Sequence, residues 1–253
     1  MAKPSLYGDL NNNSLYLKVV KMQRGYLALI PARGGSKGVK RKNIVEVAGR
    51  PLIQYTIEPA LRALQKGLVD RVVVSTDCPE IAAVAEGLGA EVPFLRPAEL
   101  ASDTAKTVDV VLHAVNFFEE QNIFFKAALL LQPTNPLRSY EDIHNAIGMF
   151  KSGNSPTLIS GHRDVHLNDL VLYRKRDNIG VPLHEGHNKG IRRQEVEGLY
   201  IRNGAIYITE VEYLKANRQI ISDLPILYEI EKDKAVNIDT EEDLAQLRWI
   251  LCK

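Results

Sequence analysis

The sequence predicts an α/β fold, a doubly wound and mostly parallel sheet with helices on both faces. Three observations carry this. Short apolar runs alternate with stretches of helical period from residue 26 to residue 150. Some runs, such as Val72-Val73-Val74, are apolar at consecutive positions, as strands buried on both faces are. Polar clusters follow the runs, where an open α/β sheet places its ligands.

Residues 1–25 precede the first clear strand. Asn11-Asn12-Asn13 marks a turn and Leu15 to Val20 is a short-strand candidate, with no function assigned. Tyr26 to Ile30 is the first strand, and Pro31, having no N–H, ends its ladder. The loop that follows holds Gly34, Gly35 and Gly38 among Arg33, Lys37, Lys40, Arg41 and Lys42. Glycine lets a ligand approach the backbone closely, and successive N–H groups form an anion-binding nest. Cations crowded into one loop repel unless an anion neutralises them. The loop therefore reads as the wrapping of a polyphosphate, against the plainer reading of a solvated basic loop. It fits neither the Walker pattern, because Gly38 follows Lys37, nor the Gly-x-Gly-x-x-Gly dinucleotide fingerprint.

Gly49-Arg50-Pro51 is a turn, and Leu52 to Lys66 a helix with Ile53, Ile57, Leu61 and Leu64 on one face and a kink at Pro59. Asp70 to Ser75 is a strand, Pro79 to Leu88 a helix, Glu91 to Leu95 a strand and Lys106 to Glu120 a helix. Ala127 to Leu131 is a strand and Tyr140 to Phe150 a helix. From residue 153 to about 200 the pattern loosens into an insertion rich in Gly, Asn and His, with Leu170 to Tyr173 its best strand. Asn203-Gly204 reads as a turn before a strand over Ala205 to Thr209. Pro225 to Ile230 is another strand, and Thr240 to Leu251 a closing helix with an acidic first turn.

The chain has 253 residues, 45% hydrophobic and 25% charged, and a net charge of +1. This is the profile of an ordinary soluble domain, with no global field for nucleic acid or an anionic membrane. No apolar run approaches the ~20 residues of a membrane span. Two distant cysteines, Cys78 and Cys252, imply no disulfide framework and fit a cytoplasmic location.

Several segments in a fixed order resemble the CMP-sialic acid synthetase (N-acylneuraminate cytidylyltransferase) family. They are Ala32 to Gly38 with Lys42-Asn43, Val74 to Asp77, Arg96 to Thr104 and Leu131 to Arg138. Arg192 to Gln194 with Asn203 to Tyr207, and Ile238 to Asp243, complete the set across roughly residues 26–250. The resemblance implies a nucleotidyltransferase over residues 26–253 that uses CTP and Mg²⁺. It implies a homodimer in which the insertion reaches onto the neighbour's sugar site. It implies attack of the 2-hydroxyl of a nine-carbon 2-keto acid on the α-phosphate, with loss of pyrophosphate. Pseudaminic, legionaminic or KDO-like acids, another nucleotide, and a non-catalytic nucleotide-binding homologue stay open as alternatives.

The resemblance also implies roles. Arg33 and Lys42 are the triphosphate candidates, an arginine fork and a lysine point charge. Arg33, Lys42 and Arg193 are the expected catalytic residues. Gly34 and Ser36 would bind phosphate oxygens, Asn43 would read the cytosine edge, and Arg96 and Thr107 would touch base or ribose. Lys40 and Arg41 only solvate the loop. Gln132, Arg193, Gln194, Asn203 and Tyr207 would face the sugar. Asp239 is the expected Mg²⁺ ligand, with Asn237 standing where the family usually has a second aspartate. Asp77 is either a helper there or a helix cap. His184 and His187 lack the His-Glu-x-x-His spacing of a zinc protease and read as loop histidines.

Overall fold

The structure, a computed structural model, describes residues 23–36, 38–164, 167, 169–191 and 198–252. The strands are β1 (Gln23–Pro31), β2 (Glu46–Val47), β3 (Arg50–Pro51), β4 (Arg71–Ser75) and β5 (Phe124–Leu130). After these come β6 (Thr157–Asp164), β7 (Tyr173–Arg176), β8 (Ile179–Pro182), β9 (Leu199–Glu210) and β10 (Ile226–Glu229). The helices are α1 (Gln54–Gln65), α2 (Pro79–Gly87), α3 (Thr107–Glu119), α4 (Tyr140–Ser152), α5 (Val211–Asn217) and α6 (Glu241–Leu251).

Six strands form the main sheet in the order β10-β6-β9-β5-β1-β4. β1 runs parallel to β4 and β5, and β10 parallel to β6, while β9 is antiparallel to both its neighbours. Alternate residues of β1 supply two cores. Ala28 and Ile30 pack in one with Ile57 of α1, Ile81 of α2 and Ile147 of α4. Leu27 and Leu29 pack in the other with Val111 and Phe118 of α3 and Leu214 of α5. The sheet is thus covered on both faces, as expected. A third cluster joins Val47 of β2 and Leu52 to Val236, Ile238, Leu244 and Leu247, so α6 closes against the β2–β3 hairpin.

The chain steps from β1 outward to β4, then returns past β1 to β5. Connections therefore leave β1 and β5 in opposite directions, and a crevice opens beyond their carboxyl ends. That crevice is where Pro31 and Leu131 deliver their loops.

Four expectations need correction. Glu91 to Leu95 makes only two isolated bridges, Glu91 to Val73 and Leu95 to Thr76, because Pro93 lacks an N–H for a continuous ladder. The stretch from residue 153 is not all insertion, since β6 lies inside the main sheet between β10 and β9. Its pattern is obscured by two fully buried hydroxyl residues, Thr157 and Ser160, which bond Ser222 and Asn203 at 2.6 Å each. Leu170 belongs to a short 3₁₀ turn, and the strand beyond it is β7, paired to β8 in a separate hairpin.

Asn203-Gly204 is not a terminal turn either. It lies within β9, at a register break against β6 between the pairs Ile159–Tyr207 and Gly161–Arg202. Two steps along β6 match five along β9, which makes a large bulge. Asn203 Oδ1 pins it by accepting from Ser160 Oγ (2.6 Å) and Ala205 N (3.1 Å), while Ile206 N donates to Ser160 Oγ (2.8 Å). Gly204 sits at φ +80°, and a Cβ there would stand 2.7 Å from Gln132 Oε1.

Candidate active site

Beyond β1 and β5 lies a cavity of about 580 Å³. It is lined by Arg33, Ser36, Gly38, Lys42 and Asn43 from the basic loop, by Arg96 and Thr107, by Gln132, and by Asn237 and Asp239. A smaller cavity of about 330 Å³ shares Gln132 and Asn237 with it and adds Asn203 and Tyr207. All the expected site residues among the described ones line one of these two spaces except Gly34. Arg193 and Gln194 lie outside the described residues.

The basic loop is held from several directions. Gly34 N donates to Asp77 Oδ1 at 2.8 Å, so this N–H serves the loop itself rather than standing ready for phosphate. Asp77 is accordingly a loop anchor and not the helix cap considered from sequence. Asn43, 6% exposed, donates from Nδ2 to the Arg33 carbonyl at 2.9 Å. This fixes the residue while leaving its Oδ1 free of that bond. Gly38 passes so close to the Asp239 carbonyl that a Cβ would collide with it. Arg41 pairs with Glu80 on α2.

The two candidate triphosphate cations already face carboxylates. Arg33 pairs with Asp103 at 2.8 Å, and Lys42 with Asp239 Oδ1 at 2.9 Å while donating also to the Ile238 carbonyl at 2.7 Å. These two cations are thereby each matched by a carboxylate inside the cavity. Arg96 differs from expectation. Its Nε donates to Ser75 Oγ (3.0 Å) and its terminal nitrogens reach the carbonyls of Ser75 and Leu100. Burial lowers its pKa to about 10, so it stays charged at neutral pH and braces the 97–106 loop against β4. Thr107 is the first residue of α3, whose N-cap is Lys106.

Sequence reasoning missed Arg138. It is fully enclosed, with Nη1 donating to the Ala205 carbonyl and Nη2 to Thr56 Oγ1, both at 2.7 Å, and both nitrogens nearing the Gln132 carbonyl. Burial pushes its pKa down to about 9. It ties α1, the end of β5 and the β9 bulge together behind Gln132. The signal available was an arginine closing an otherwise apolar and polar-neutral motif, Leu131 to Leu137.

The metal expectation can be tested on the donor set. Asp239 Oδ2 accepts from Asn237 Nδ2, and Asn237 Oδ1 accepts from Asn135 Nδ2 at 3.3 Å. Asn237, expected as a ligand, therefore presents its N–H side to Asp239 and orients that carboxylate. Among the described residues no group of three His, Cys, Asp or Glu converges. The set fits an ion that takes one carboxylate and otherwise substrate phosphate and water, as Mg²⁺ does. It does not fit a metal caged by protein alone. His184 and His187 bond locally, to Gly186 N and Tyr173 Oη.

A doubly wound sheet with a glycine-rich basic loop at its crevice, and a second cavity against it, defines a nucleotidyltransferase. Residues 27–253 match the cytidylyltransferase family, and the chain belongs to that family of enzymes. It is 34% identical over 226 residues to CMP-N,N'-diacetyllegionaminic acid synthase of Legionella pneumophila, covering 87% of this chain and 93% of that protein. It is 30% identical over 223 residues to N-acylneuraminate cytidylyltransferase of Escherichia coli, covering 88% of this chain and 51% of that longer protein. A solved structure of CMP:2-keto-3-deoxy-manno-octonic acid synthetase complexed with CTP superposes with a TM-score of 0.65 at 18% identity, over 90% of this chain and 98% of that one. That likeness supports the fold.

Proposed function

We propose that the protein transfers CMP from CTP to the 2-hydroxyl of a nonulosonic acid and releases pyrophosphate. The observation that carries this reading is the pair of joined cavities. One is lined by phosphate-type cations, the other by amide, phenol, imidazole and guanidinium groups, and Gln132 and Asn237 line both.

In this reading Arg33 and Lys42 take the triphosphate, exchanging Asp103 and Asp239 for phosphate oxygens. Ser36 adds a hydroxyl donor. Asn43 and Thr107 face the base and ribose. The acid enters the smaller cavity, and Gln132 orients its ring toward the larger one. Arg193 and Gln194 complete the acceptor side by the resemblance. Asp239 would hold Mg²⁺ through its carboxylate. When bound, the ion neutralises developing charge and makes the attacking hydroxyl more acidic. Charge stabilisation by preorganised donors then lowers the barrier to pyrophosphate departure.

The relatives act, by name, on different acids, and N,N'-diacetyllegionaminic acid heads the panel to test because that relative matches over nearly its whole length. The test is pyrophosphate release with Mg²⁺, crossing CTP and GTP against eight- and nine-carbon keto acids. Turnover with CTP and one nine-carbon acid is the expected result. Turnover confined to an eight-carbon acid or to GTP would overturn it.

A homodimer belongs to the same proposal. Its support is the β7–β8 hairpin, which carries Tyr173 at 50% and Ile179 at 70% exposure, flanked by Val171 at 59% and Leu183 at 48%. Exposed apolar side chains on a hairpin outside the main sheet suit a self-complementary contact.

A further inference from the structure

The smaller cavity contains two residues to which neither motif nor resemblance assigns a role, His162 of β6 and Arg202 of β9. Two cations of the larger cavity are ion-paired, Arg33 with Asp103 and Lys42 with Asp239, and a third, Arg96, is spent on hydrogen bonds to Ser75 and Leu100. Arg202 lines the smaller cavity with no ion pair among the described residues. Beside it, Asn203 Nδ2 is buried without a hydrogen-bond partner, as is His162 Nδ1. The Asn203 amide cannot simply turn over, because its Oδ1 already accepts from Ser160 and Ala205. Two buried polar atoms and a cation without a counter-charge surround one space. Each of the two buried atoms costs stability unless a ligand or water meets it, while the exposed Arg202 guanidinium is open to an anion entering the cavity. An arginine fork matches a carboxylate in bidentate geometry.

We propose that Arg202 receives the carboxylate of the acceptor acid, with Asn203 Nδ2 and His162 meeting its neighbouring oxygens. This rests on the reading of the protein as a transferase to a 2-keto acid, and adds the residue that orients it. In the ring form of such an acid the carboxylate and the reacting hydroxyl share one carbon. Fixing the carboxylate at Arg202 therefore leaves only rotation about a single bond to aim the hydroxyl. The cavity's other wall, Gln132 and Asn237, opens on the nucleotide. The bulge in β9 gives the arrangement its geometry. It places Arg202, Asn203 and Gly204 against the cavity instead of in regular register with β6. Tyr207 supports the same placement: burial raises its phenol pKa and the Arg202 charge opposes that rise, so the guanidinium lies within electrostatic reach of the phenol.

The test uses the acid that turns over best in the panel and its C1 carboxamide. For Arg202→Ala, KM for the acid should rise roughly ten- to a hundredfold, the scale of one hydrogen bond to a charged group. The calorimetric affinity for CTP should not change. Wild type should discriminate acid from carboxamide strongly, Arg202→Ala weakly, and Arg202→Lys should fall between. Equal discrimination in wild type and Arg202→Ala would overturn the proposal. So would a loss confined to CTP binding, which would assign Arg202 to the nucleotide. Wild type silent across the whole panel would instead overturn the transferase reading. Titration of N-acetylneuraminic acid into both proteins then still decides Arg202, because equal affinity rejects it.

Discussion

At the scale of single residues, the site is governed by which charges already have partners. Arg33→Ala should cost about 3 kcal/mol of transition-state stabilisation, the effect of deleting one preorganised donor. This would be read as a fall in kcat/KM for CTP. Asp103→Asn should do the reverse for binding, because nucleotide then no longer competes with a carboxylate 2.8 Å from Arg33. Calorimetry should show CTP affinity rising severalfold, and an unchanged affinity would mean the pair persists in the complex. Asn237→Asp sets a second carboxylate against Asp239, where Asn237 now donates. The two acids repel unless a cation lies between them. The Mg²⁺ concentration that half-saturates a thermal shift should therefore fall, and an unchanged midpoint would show that this position does not touch the ion. These roles were legible unequally. Arg33, Lys42 and Asp239 are conspicuous as charge in a polar motif. Asp77 and Arg138 were not, because Gly34, which Asp77 holds, and Thr56 and Ala205, which Arg138 holds, lie far off in sequence.

Among elements, helices were the most legible, because their period is local. The bounds expected for α2, α3 and α6 lie within one residue of those observed at each end. Strands paired through buried hydroxyls were not, and β6 is the example: its inward Thr157 and Ser160 imitate loop composition. Asn203-Gly204 misled for a related reason. Turn and bulge use the same residue chemistry, and Ser160, 43 residues earlier, decides between them. The closing helix offers a measurable case. Thr240 and Asp243 form a capping box at the start of α6, and Thr240→Ala should cost about 1 kcal/mol in urea denaturation. The N–H groups of Asp239 and Thr240 hold the Asp243 carboxyl below its usual value of 3.8. A lowered folded pKa stabilises above the unfolded pKa and is lost as pH falls through the folded one. Asp243→Asn should therefore be less stable than wild type near neutrality, with the gap closing as pH falls below 3.8.

For the molecule as a whole, the doubly wound architecture was readable from alternation alone, while the division of the second half was not. The insertion that looked continuous is split between a core strand and the β7–β8 hairpin. That hairpin carries the assembly prediction. Ile179→Asp should shift sedimentation from dimer toward monomer while leaving the thermal midpoint of the domain nearly unchanged, since Ile179 is 70% exposed. Wild type sedimenting as a monomer at assay concentrations would remove the basis for it. The contact between the basic loop and the strip at 238–239 has a consequence in time. Lys42 and Gly38 lean on residues made nearly two hundred positions later. On the ribosome, the loop emerges early but lacks its far wall until that strip has been synthesised. A chain interrupted before Ile238 can lay down most of its sheet and still have no finished pocket for nucleotide. A finished nucleotide pocket thus waits on the synthesis of residues 238–239.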